Sequence, residues 1–430
     1  MLESVTPPHE RAQLARRHLA ARRSASARTV RQRIRLWGLQ FVGRLLRARA
    51  ARARGHRKRG WEAAWPKARS EYRTEHPSRE RILVIRPDHL GDLLFATPAL
   101  TRLRQLHPEA HIAALVGPWG QAVWAGNPDV DVILVCPFPG FTRRPKSSAW
   151  EPYRLLVEHA ACLRAFGFDR AIILRFDHWW GAWLAAWAGV PIRSGYDLPE
   201  MRPFLTQAHA YCPGRHEVVQ NLALVDPDLT PITPQIWPLR FFPTIEDERW
   251  ADELVHSMGA TGYRLIAIHP GSGAPVKAWR VQAWARVADA LAAHHPTRLL
   301  LTGGPDEREL AESVASAMRR PAVILAGETT LGQLAALLRR CALAMGPDSG
   351  PLHLAVAMGT PTVHLFGPVD ARLFGPWGDP QRHRVLTSDW ACIPCNRLDY
   401  PITARPQHGC VRDIAEEAVL ETALELLAGG

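Results

Sequence analysis

The chain has 430 residues, of which 47% are hydrophobic and 22% are charged, and its formal net charge at pH 7 is +12. That length and composition suit two domains with apolar cores. No run of 18 uncharged apolar residues occurs, so no membrane-spanning helix is expected, and the Arg-rich start lacks the apolar segment of a secretory signal.

The excess of positive charge lies in residues 1–80, a basic extension with 21 Lys and Arg against 6 Asp and Glu. Such a segment attracts polyanions, either nucleic acid or anionic lipid, and the alternative is a solvated extension. A narrow apolar stripe at helical spacing runs through it, formed by Ile34, Trp37, Phe41 and Leu45. We expect an anionic membrane surface, not nucleic acid, to be its partner.

Strands and helices alternate from residue 81 onward. In the first half the predicted strands are 82–86, 111–116, 130–136 and 170–175, with helices near 93–106, 150–166 and 178–188. A Pro-rich linker at 226–243 and a helix at 245–258 precede a second series, with strands at 265–269, 298–302, 322–326, 342–345 and 362–366 and a final helix at 413–428. This predicts an α/β protein with parallel sheets covered by helices. The expected domains are 81–235 and 236–412, followed by a C-terminal helix at 413–430.

The first strand-to-helix turn carries a candidate catalytic carboxylate. The buried strand Ile82–Ile85 leads through a polar turn into Gly91 and Asp92, which open an apolar-periodic helix. Ligands in open α/β sheets bind where strands end, so Asp92 lies where a catalytic acid would be placed. A plain acidic residue at a helix N-terminus is the alternative interpretation.

Two loops of the second half have the chemistry of a phosphate site. The loop 269–273 (His-Pro-Gly-Ser-Gly) offers backbone amides and the Ser272 hydroxyl, and Lys277 adds a positive charge. A tight structural turn is the alternative. In the second loop, Asp348 or Ser349 would cap a helix, and the amides of Ser349 and Gly350 with the ring of His353 would face phosphates. Asp306 follows another strand and could bind a ribose hydroxyl or act as a cap.

No metal site is predicted from the acidic pairs. Asp129 with Asp131 and Asp226 with Asp228 match Asp-x-Asp only formally, and we interpret both as chance. A C-terminal group has the ligand types for zinc, but its spacing is loose and a reduced thiol cluster is the preferred interpretation: Cys392, Cys395, His408 and Cys410. The odd count of seven cysteines favours a reducing compartment.

Several motifs together resemble glycosyltransferase family 9, the ADP-heptose:lipopolysaccharide heptosyltransferases, over residues 81 to about 428. The motifs that carry the resemblance are Arg86-x5-Gly91-Asp92, Thr97–Leu100, His269–Ser272, Lys277-x-Trp279 and Asp348-Ser349-Gly350-x2-His353. Two features depart from the family pattern: the Gly-Ser-Gly run of the first loop and the 80-residue basic extension.

The resemblance implies a GT-B architecture, in which two Rossmann-like doubly wound domains face a cleft. It implies that Asp92 is the general base of an N-terminal acceptor domain. It also implies a C-terminal nucleotide-sugar domain, with Ser272 and Lys277 on the donor phosphates, Asp306 on the ribose and Thr329 near the adenine. The remaining nucleotide contacts implied in this way are Asp348, Ser349, Gly350 and His353.

The expected function is therefore an inverting, metal-independent glycosyltransferase with no cofactor. Its donor would be a nucleotide sugar, ADP-heptose by resemblance, and its acceptor a lipid-linked glycan such as the lipopolysaccharide core. We expect a cytoplasmic protein, either free or peripheral at the inner face of the inner membrane. Two alternatives are a nucleotide-sugar epimerase on the same fold and a non-catalytic protein that binds sugar nucleotides or polyanions. The sequence specifies neither the acceptor sugar nor the oligomeric state.

Overall fold

The computed structural model describes residues 79–142, 148, 150–260, 262–294, 296–400 and 407–429. The basic extension, including its apolar stripe, lies outside these residues except for its last two positions.

The first half contains a parallel sheet of six strands in the order β3-β2-β1-β4-β5-β6. These strands are β1 (Arg81–Arg86), β2 (His111–Val116), β3 (Val132–Val135), β4 (Arg170–Ile173), β5 (Ile192–Tyr196) and β6 (Gln207–His209). The helices of this half are α1 (Leu90–Phe95), α2 (Thr97–Leu106), α3 (Gln121–Trp124), α4 (Glu151–Phe166), α5 (Trp179–Trp187) and α6 (Glu217–Val225).

The second half repeats this plan with the strand order β12-β11-β10-β7-β8-β9, again all parallel. Its strands are β7 (Arg264–Ile268), β8 (Thr297–Leu301), β9 (Ala322–Ile324), β10 (Leu343–Pro347), β11 (Thr362–Leu365) and β12 (His383–Leu386). Its helices are α7 (Ile245–Ser257), α8 (Val281–His294), α9 (Arg308–Ala317), α10 (Leu331–Arg339), α11 (Gly350–Ala357), α12 (Ala371–Phe374) and α13 (Glu416–Ala428).

The central strands are buried on both faces, and successive side chains point to opposite faces of the sheet. In β1, Ile82 and Val84 belong to one apolar cluster, and Leu83 and Ile85 belong to another. The cluster that contains Ile82 also includes Leu265 and other residues of the second half. One apolar core therefore continues from the first sheet to the second.

Most predicted elements are confirmed within one or two residues at their ends. The predicted helix at 93–106 is two helices, α1 and α2, which are separated at Ala96, with Pro98 in the first turn of α2. Sequence analysis missed β5, β6, β12, α3 and α6, and in the second half it gave bounds only for α7 and α13. Helix α6 matters most for the site described below.

Both sheets have the doubly wound order, in which the order of the strands reverses beside the first strand of the sheet. The reversal lies between β1 and β4 in the first sheet and between β7 and β10 in the second. Open α/β sheets bind ligands outside the carboxyl ends of the strands at such a point. Asp92 follows β1, and the two glycine-containing loops follow β7 and β10, so the candidate residues lie at these points.

The two halves meet where the first turns of α1 and α11 pack against each other. A Cβ atom placed on Gly350 would lie 2.9 Å from the Cβ of Leu90, and one placed on Gly91 would lie 3.2 Å from the Cδ2 of His353. The two backbones therefore approach closely because both positions lack side chains. Within the described ranges, no helix has the length and apolar character needed to cross a membrane.

We predict that Gly350→Ala destabilises the contact between the two halves. Its methyl group would press on the backbone-fixed Cβ of Leu90, and overpacking of this kind costs about 1–3 kcal/mol of unfolding free energy. Gly273→Ala is the matched control, because nothing lies within 4 Å of a Cβ placed there. Thermal unfolding measures both, and equal stability of the two variants would contradict the predicted overpacking.

Candidate active site

The loop after β7 folds back on itself and brings Lys277 toward β10. The Ser272 hydroxyl donates to the carbonyl of Ala274 at 2.8 Å, and a short 3-10 turn, Pro275–Lys277, follows. The Lys277 ammonium donates to the backbone carbonyl of Asp348 at 2.7 Å and to its carboxylate at 3.0 Å. One lysine thus ties the two predicted phosphate loops together.

The Asp348 carboxylate is held ionised by its neighbours. Burial alone would raise the pKa of this carboxyl, but the nearby charge of Lys277 and the polar contact with His353 bring the pKa well below its ordinary value. The Nε2 atom of His353 lies 3.6 Å from the Asp348 Oδ1 atom. Asp348 therefore acts first as a structural anchor for the Lys277 ammonium and the His353 ring.

The N-terminus of α11 presents unpaired donors. Ser349 is the N-cap residue, but its side chain makes no capping hydrogen bond, and its buried Oγ has no hydrogen-bond partner among the described residues. The same holds for the Nδ1 atom of His353, one turn into the helix. A helix N-terminus with free amides, a hydroxyl and an imidazole has the chemistry of an anion site.

The structure places Glu307, not Asp306, against the loop after β7. Asp306 is exposed in the 3-10 turn Pro305–Glu307, whereas the Glu307 carboxylate accepts the Gly304 amide at 2.8 Å and lies 3.8 Å from the His269 Nε2 atom. A side chain on Gly271 would collide with this carboxylate. The signal available in the sequence was an acidic residue three positions after Gly304, the spacing of a capping box.

Thr329 lies half-buried in the turn between β9 and α10. The neighbouring Thr330 caps α10 by accepting the Gln333 amide. The adenine role of Thr329, like the other roles implied by resemblance, stays a prediction.

A buried arginine organises the site after β1. The Arg86 side chain is 1% exposed, and its Nε atom lies 2.6 Å from the Asp88 carboxylate. Its other nitrogens donate to Glu217 at 2.8 Å and to Asn221 at 2.9 Å, and its Nη2 atom lies 3.8 Å from Asp92. Sequence analysis noted Arg86 only as part of a motif and missed its partners, because α6 was not predicted.

Asp92 is the one carboxylate of this group that stays partly open, with 35% of its side chain exposed. Desolvation, together with the charges of Asp88 and Glu217, raises its pKa to about 7, although Arg86 and Arg175 act in the opposite direction. A carboxylate with a pKa near neutrality can accept a proton from a substrate hydroxyl. Asp92 therefore has the protonation behaviour of a general base.

Asp88 has the opposite protonation behaviour. Burial would raise its pKa, but Arg175 and Arg86 overcome that effect and lower the pKa to about 2. Arg175 follows β4 and pairs with Asp88 and Asp177. Beside them His178, whose pKa burial lowers to about 3, is a neutral ring at the start of α5.

The contact between α1 and α11 brings these groups to one place. Asp92 is the residue after Gly91, which faces the ring of His353. His353, Ser349, Gly350, Lys277 and Asp348 form the opposite side. A carboxylate with a raised pKa thus lies near a helix N-terminus that carries a lysine and an imidazole, an arrangement that suits group transfer away from a phosphate.

The Asp-x-Asp pairs serve structural roles. Asp129 accepts from Thr101 and Arg240, and Asp131 accepts from Arg104 and the Ile112 amide. Asp226 pairs with Arg102 at 2.7 Å. Across the part of the chain that the structure describes, no cluster of His, Cys, Asp or Glu is arranged to hold a metal ion. The four residues of the zinc alternative, Cys392, Cys395, His408 and Cys410, form no such cluster there.

The family model for glycosyltransferase family 9 (heptosyltransferase) matches residues 156–400. The chain belongs to glycosyltransferase family 9. This membership favours a transferase over the epimerase and the non-catalytic binding protein.

Two curated relatives are similar to this glycosyltransferase over most of their own length. Lipopolysaccharide heptosyltransferase 3 of Escherichia coli is 27% identical over 297 residues, which is 67% of this chain and 84% of that protein. Lipopolysaccharide heptosyltransferase 1 of Pseudomonas aeruginosa is 25% identical over 326 residues, 73% of this chain and 86% of that protein.

Solved structures agree with the fold. A family 9 glycosyl transferase from Veillonella parvula matches with a TM-score of 0.67 and 26% identity, covering 82% of this chain and 98% of that one. The E. coli ADP-heptose lps heptosyltransferase II matches with a TM-score of 0.65 and 22% identity, covering 81% and 99%. The predicted GT-B fold, with two Rossmann-like sheets, is confirmed.

We predict that Asp92→Asn stabilises this glycosyltransferase in a pH-dependent way. The folded pKa of about 7 lies above the ordinary value of 3.8, so ionised Asp92 costs stability as the pH rises. The gain in melting temperature should be small near pH 4, grow up to pH 7 and then level off. Thermal unfolding from pH 4 to 9 measures it, and an offset independent of pH would argue against the raised pKa.

Proposed function

We propose that this family 9 enzyme transfers heptose from ADP-heptose, with inversion, onto a lipopolysaccharide core or a related glycan. The observation that carries the proposal is the position of Asp92 beside the α11 N-terminus, which puts a base with a pKa near 7 next to a phosphate-type site. The names of the curated relatives support heptose as the sugar and lipopolysaccharide as the acceptor class.

In the proposed reaction the acceptor hydroxyl approaches Asp92. The carboxylate takes the hydroxyl proton while the hydroxyl oxygen forms a bond to the anomeric carbon. The bond from that carbon to the diphosphate oxygen breaks, and its electron pair leaves with the nucleoside diphosphate. Attack from the face opposite the leaving group inverts the anomeric centre.

The leaving diphosphate would gain its stabilisation from protein groups. The Lys277 ammonium, His353 and the free amides at the start of α11 are preorganised donors near one another. We propose that these groups supply the positive charge that a divalent metal supplies in other transferases. Activity should then persist in the presence of a strong chelator.

Two variants separate the chemistry from donor binding. Asp92→Asn should reduce turnover by roughly two or more orders of magnitude and leave ADP affinity nearly intact, because it removes the base alone. Lys277→Ala should weaken ADP binding by about 1.5–3 kcal/mol, the range for a hydrogen bond to a charged group. Calorimetry with ADP and a transfer assay from ADP-heptose to truncated lipopolysaccharide cores measure the two effects.

Each variant is the control for the other. Near-normal turnover of Asp92→Asn would reject Asp92 as the base. Unchanged ADP affinity of Lys277→Ala would remove Lys277 from the donor site.

We also propose that the basic extension, residues 1–80, holds the enzyme at the anionic inner face of the inner membrane, which makes the protein cytoplasmic and peripheral. Its net charge of +15 supports electrostatic binding, since each Lys or Arg near such a surface contributes about 1 kcal/mol. A lipid-linked acceptor would lie in the same surface.

Deleting residues 1–75 should abolish membrane binding and spare ADP affinity, because β1 begins only at Arg81. Co-sedimentation with anionic vesicles should capture the full chain at low salt and release it as the ionic strength rises. Vesicles of neutral lipid are the control. Equal binding of both proteins to anionic vesicles, or of neither, would argue against this role.

A further inference from the structure

Helix α6 contacts the site around Arg86 through its first two turns, although the reaction described above assigns those turns no role. Its residues His216, Glu217 and Asn221 are all buried or nearly so. They face two different partners: the ion cluster around Arg86 and the second half of the chain.

Glu217 and Asn221 both bind the Arg86 side chain from α6. Glu217 accepts from the Nη2 atom of Arg86 at 2.8 Å, and Asn221 accepts from the Nη1 atom at 2.9 Å. Asn221 also donates to the carbonyl of Phe95 at the end of α1, at 3.2 Å. The orientation of the guanidinium is therefore set by α6.

The same nitrogen of Arg86 that bonds Glu217 is the one that faces Asp92. The Nη2 atom lies 2.8 Å from the Glu217 carboxylate and 3.8 Å from the Asp92 carboxylate. The stronger bond thus goes to Glu217, and Asp92 receives only the longer contact. Among the described residues, Asp92 therefore has only this longer ion pair, at 3.8 Å.

His216 fixes the position of this helix end. Its Nδ1 atom accepts the Val218 amide as the N-cap of α6, so the neutral ring carries its proton on Nε2 and donates to the carbonyl of Gly375 at 3.1 Å. The ring also packs against Phe95 and Trp377. Glu217 is consequently anchored by contacts to both halves.

We propose that Glu217 is a positioning residue for the transfer reaction: it holds Arg86 away from Asp92 and so leaves the Asp92 carboxylate free to take a proton. The chemical use of that proton rests on the proposed function, whereas the effect of Glu217 on Asp92 does not. Glu217 itself need not touch either substrate.

The charges that face Asp92 set the direction of the expected effect. Arg86 faces it from the end of β1, Asp88 from the turn after β1, Glu217 from α6 and Arg175 from the residues after β4, and His353 lies across the contact with α11. Removing the charge of Glu217 eliminates one anion and frees Arg86 to approach Asp92. Both changes favour the ionised carboxylate, so its pKa falls.

The test compares Glu217→Gln with the double variant Glu217→Gln/Asp92→Asn by thermal unfolding from pH 4 to 9. Glutamine keeps the size of the side chain but replaces the charged acceptor of Arg86 with a neutral amide oxygen, whose hydrogen bond to a guanidinium is weaker. In the wild-type background the stabilising effect of Asp92→Asn should level off near pH 7; in the Glu217→Gln background it should level off about one pH unit lower. No substrate is needed, so the result is independent of the reaction assigned to the enzyme.

Asp226→Asn is the matched control, since it removes an arginine-paired carboxylate at the other end of α6. It should leave the levelling-off point where the wild type has it. An unshifted point in Glu217→Gln, or an equal shift in Asp226→Asn, would overturn the proposal even if Asp92→Asn abolishes transfer.

The transfer assay gives a second readout. The ratio of kcat/KM at pH 6 to that at pH 8 should be several-fold higher in Glu217→Gln than in the wild type, because the base is ionised at lower pH. A purely structural role would lower activity equally at both pH values, and that result would contradict the proposal. If Asp92→Asn stays active while the stability profiles shift as expected, the proposed base is wrong and the positioning effect stands.

Discussion

The organisation of the site depends on one fully buried cation, Arg86. A guanidinium taken out of water must be paired and hydrogen-bonded, since an uncompensated buried charge costs several kcal/mol. Arg86 ends the central strand of the first sheet, so its partners come from the following turn and from α6, 131 residues away. The pairing of Arg86 fixes the positions of the Asp88, Glu217 and Asn221 side chains. Asp92 lies at the solvent-exposed edge of the same cluster.

The cluster around Arg86 contains more acids than bases, and the site opposite contains the reverse. Arg86 and Arg175 face four carboxylates, namely Asp88, Asp92, Asp177 and Glu217. The least enclosed of these, Asp92, has the raised pKa. Across the interface a single carboxylate, Asp348, faces Lys277 and His353 and has a lowered pKa. Two aspartates in similar strand-end positions thus differ in role because of their surroundings, one suited to take a proton and the other to hold cations.

Sequence patterns predicted the parts of the site that are local in the chain. Asp92, Lys277 and Asp348 each follow a strongly apolar strand and precede a helix. This pattern can be recognised from the local sequence alone, without knowing which distant residues contact these side chains. Helix α6 was not predicted: it is only nine residues long and lies between the short edge strand β6 and the Pro-rich linker. Glu307, and not Asp306, contacts the loop after β7. Which of two adjacent side chains in a 3-10 turn points toward that loop cannot be predicted from the amino-acid composition.

The close approach of α1 and α11 links the fold to the chemistry. Helices α1 and α11 follow the strands at which the strand order reverses, and each begins close to the other half. Gly91 and Gly350 lack the side chains that would hold the two helices apart. Asp92 follows Gly91 directly, so the distance between Asp92 and the groups around His353 depends on the packing of these two backbones. A larger residue at Gly350 would press on Leu90, and one at Gly91 would press on the ring of His353. Backbone packing at two glycines is therefore as much a part of the site as its carboxylate and its lysine.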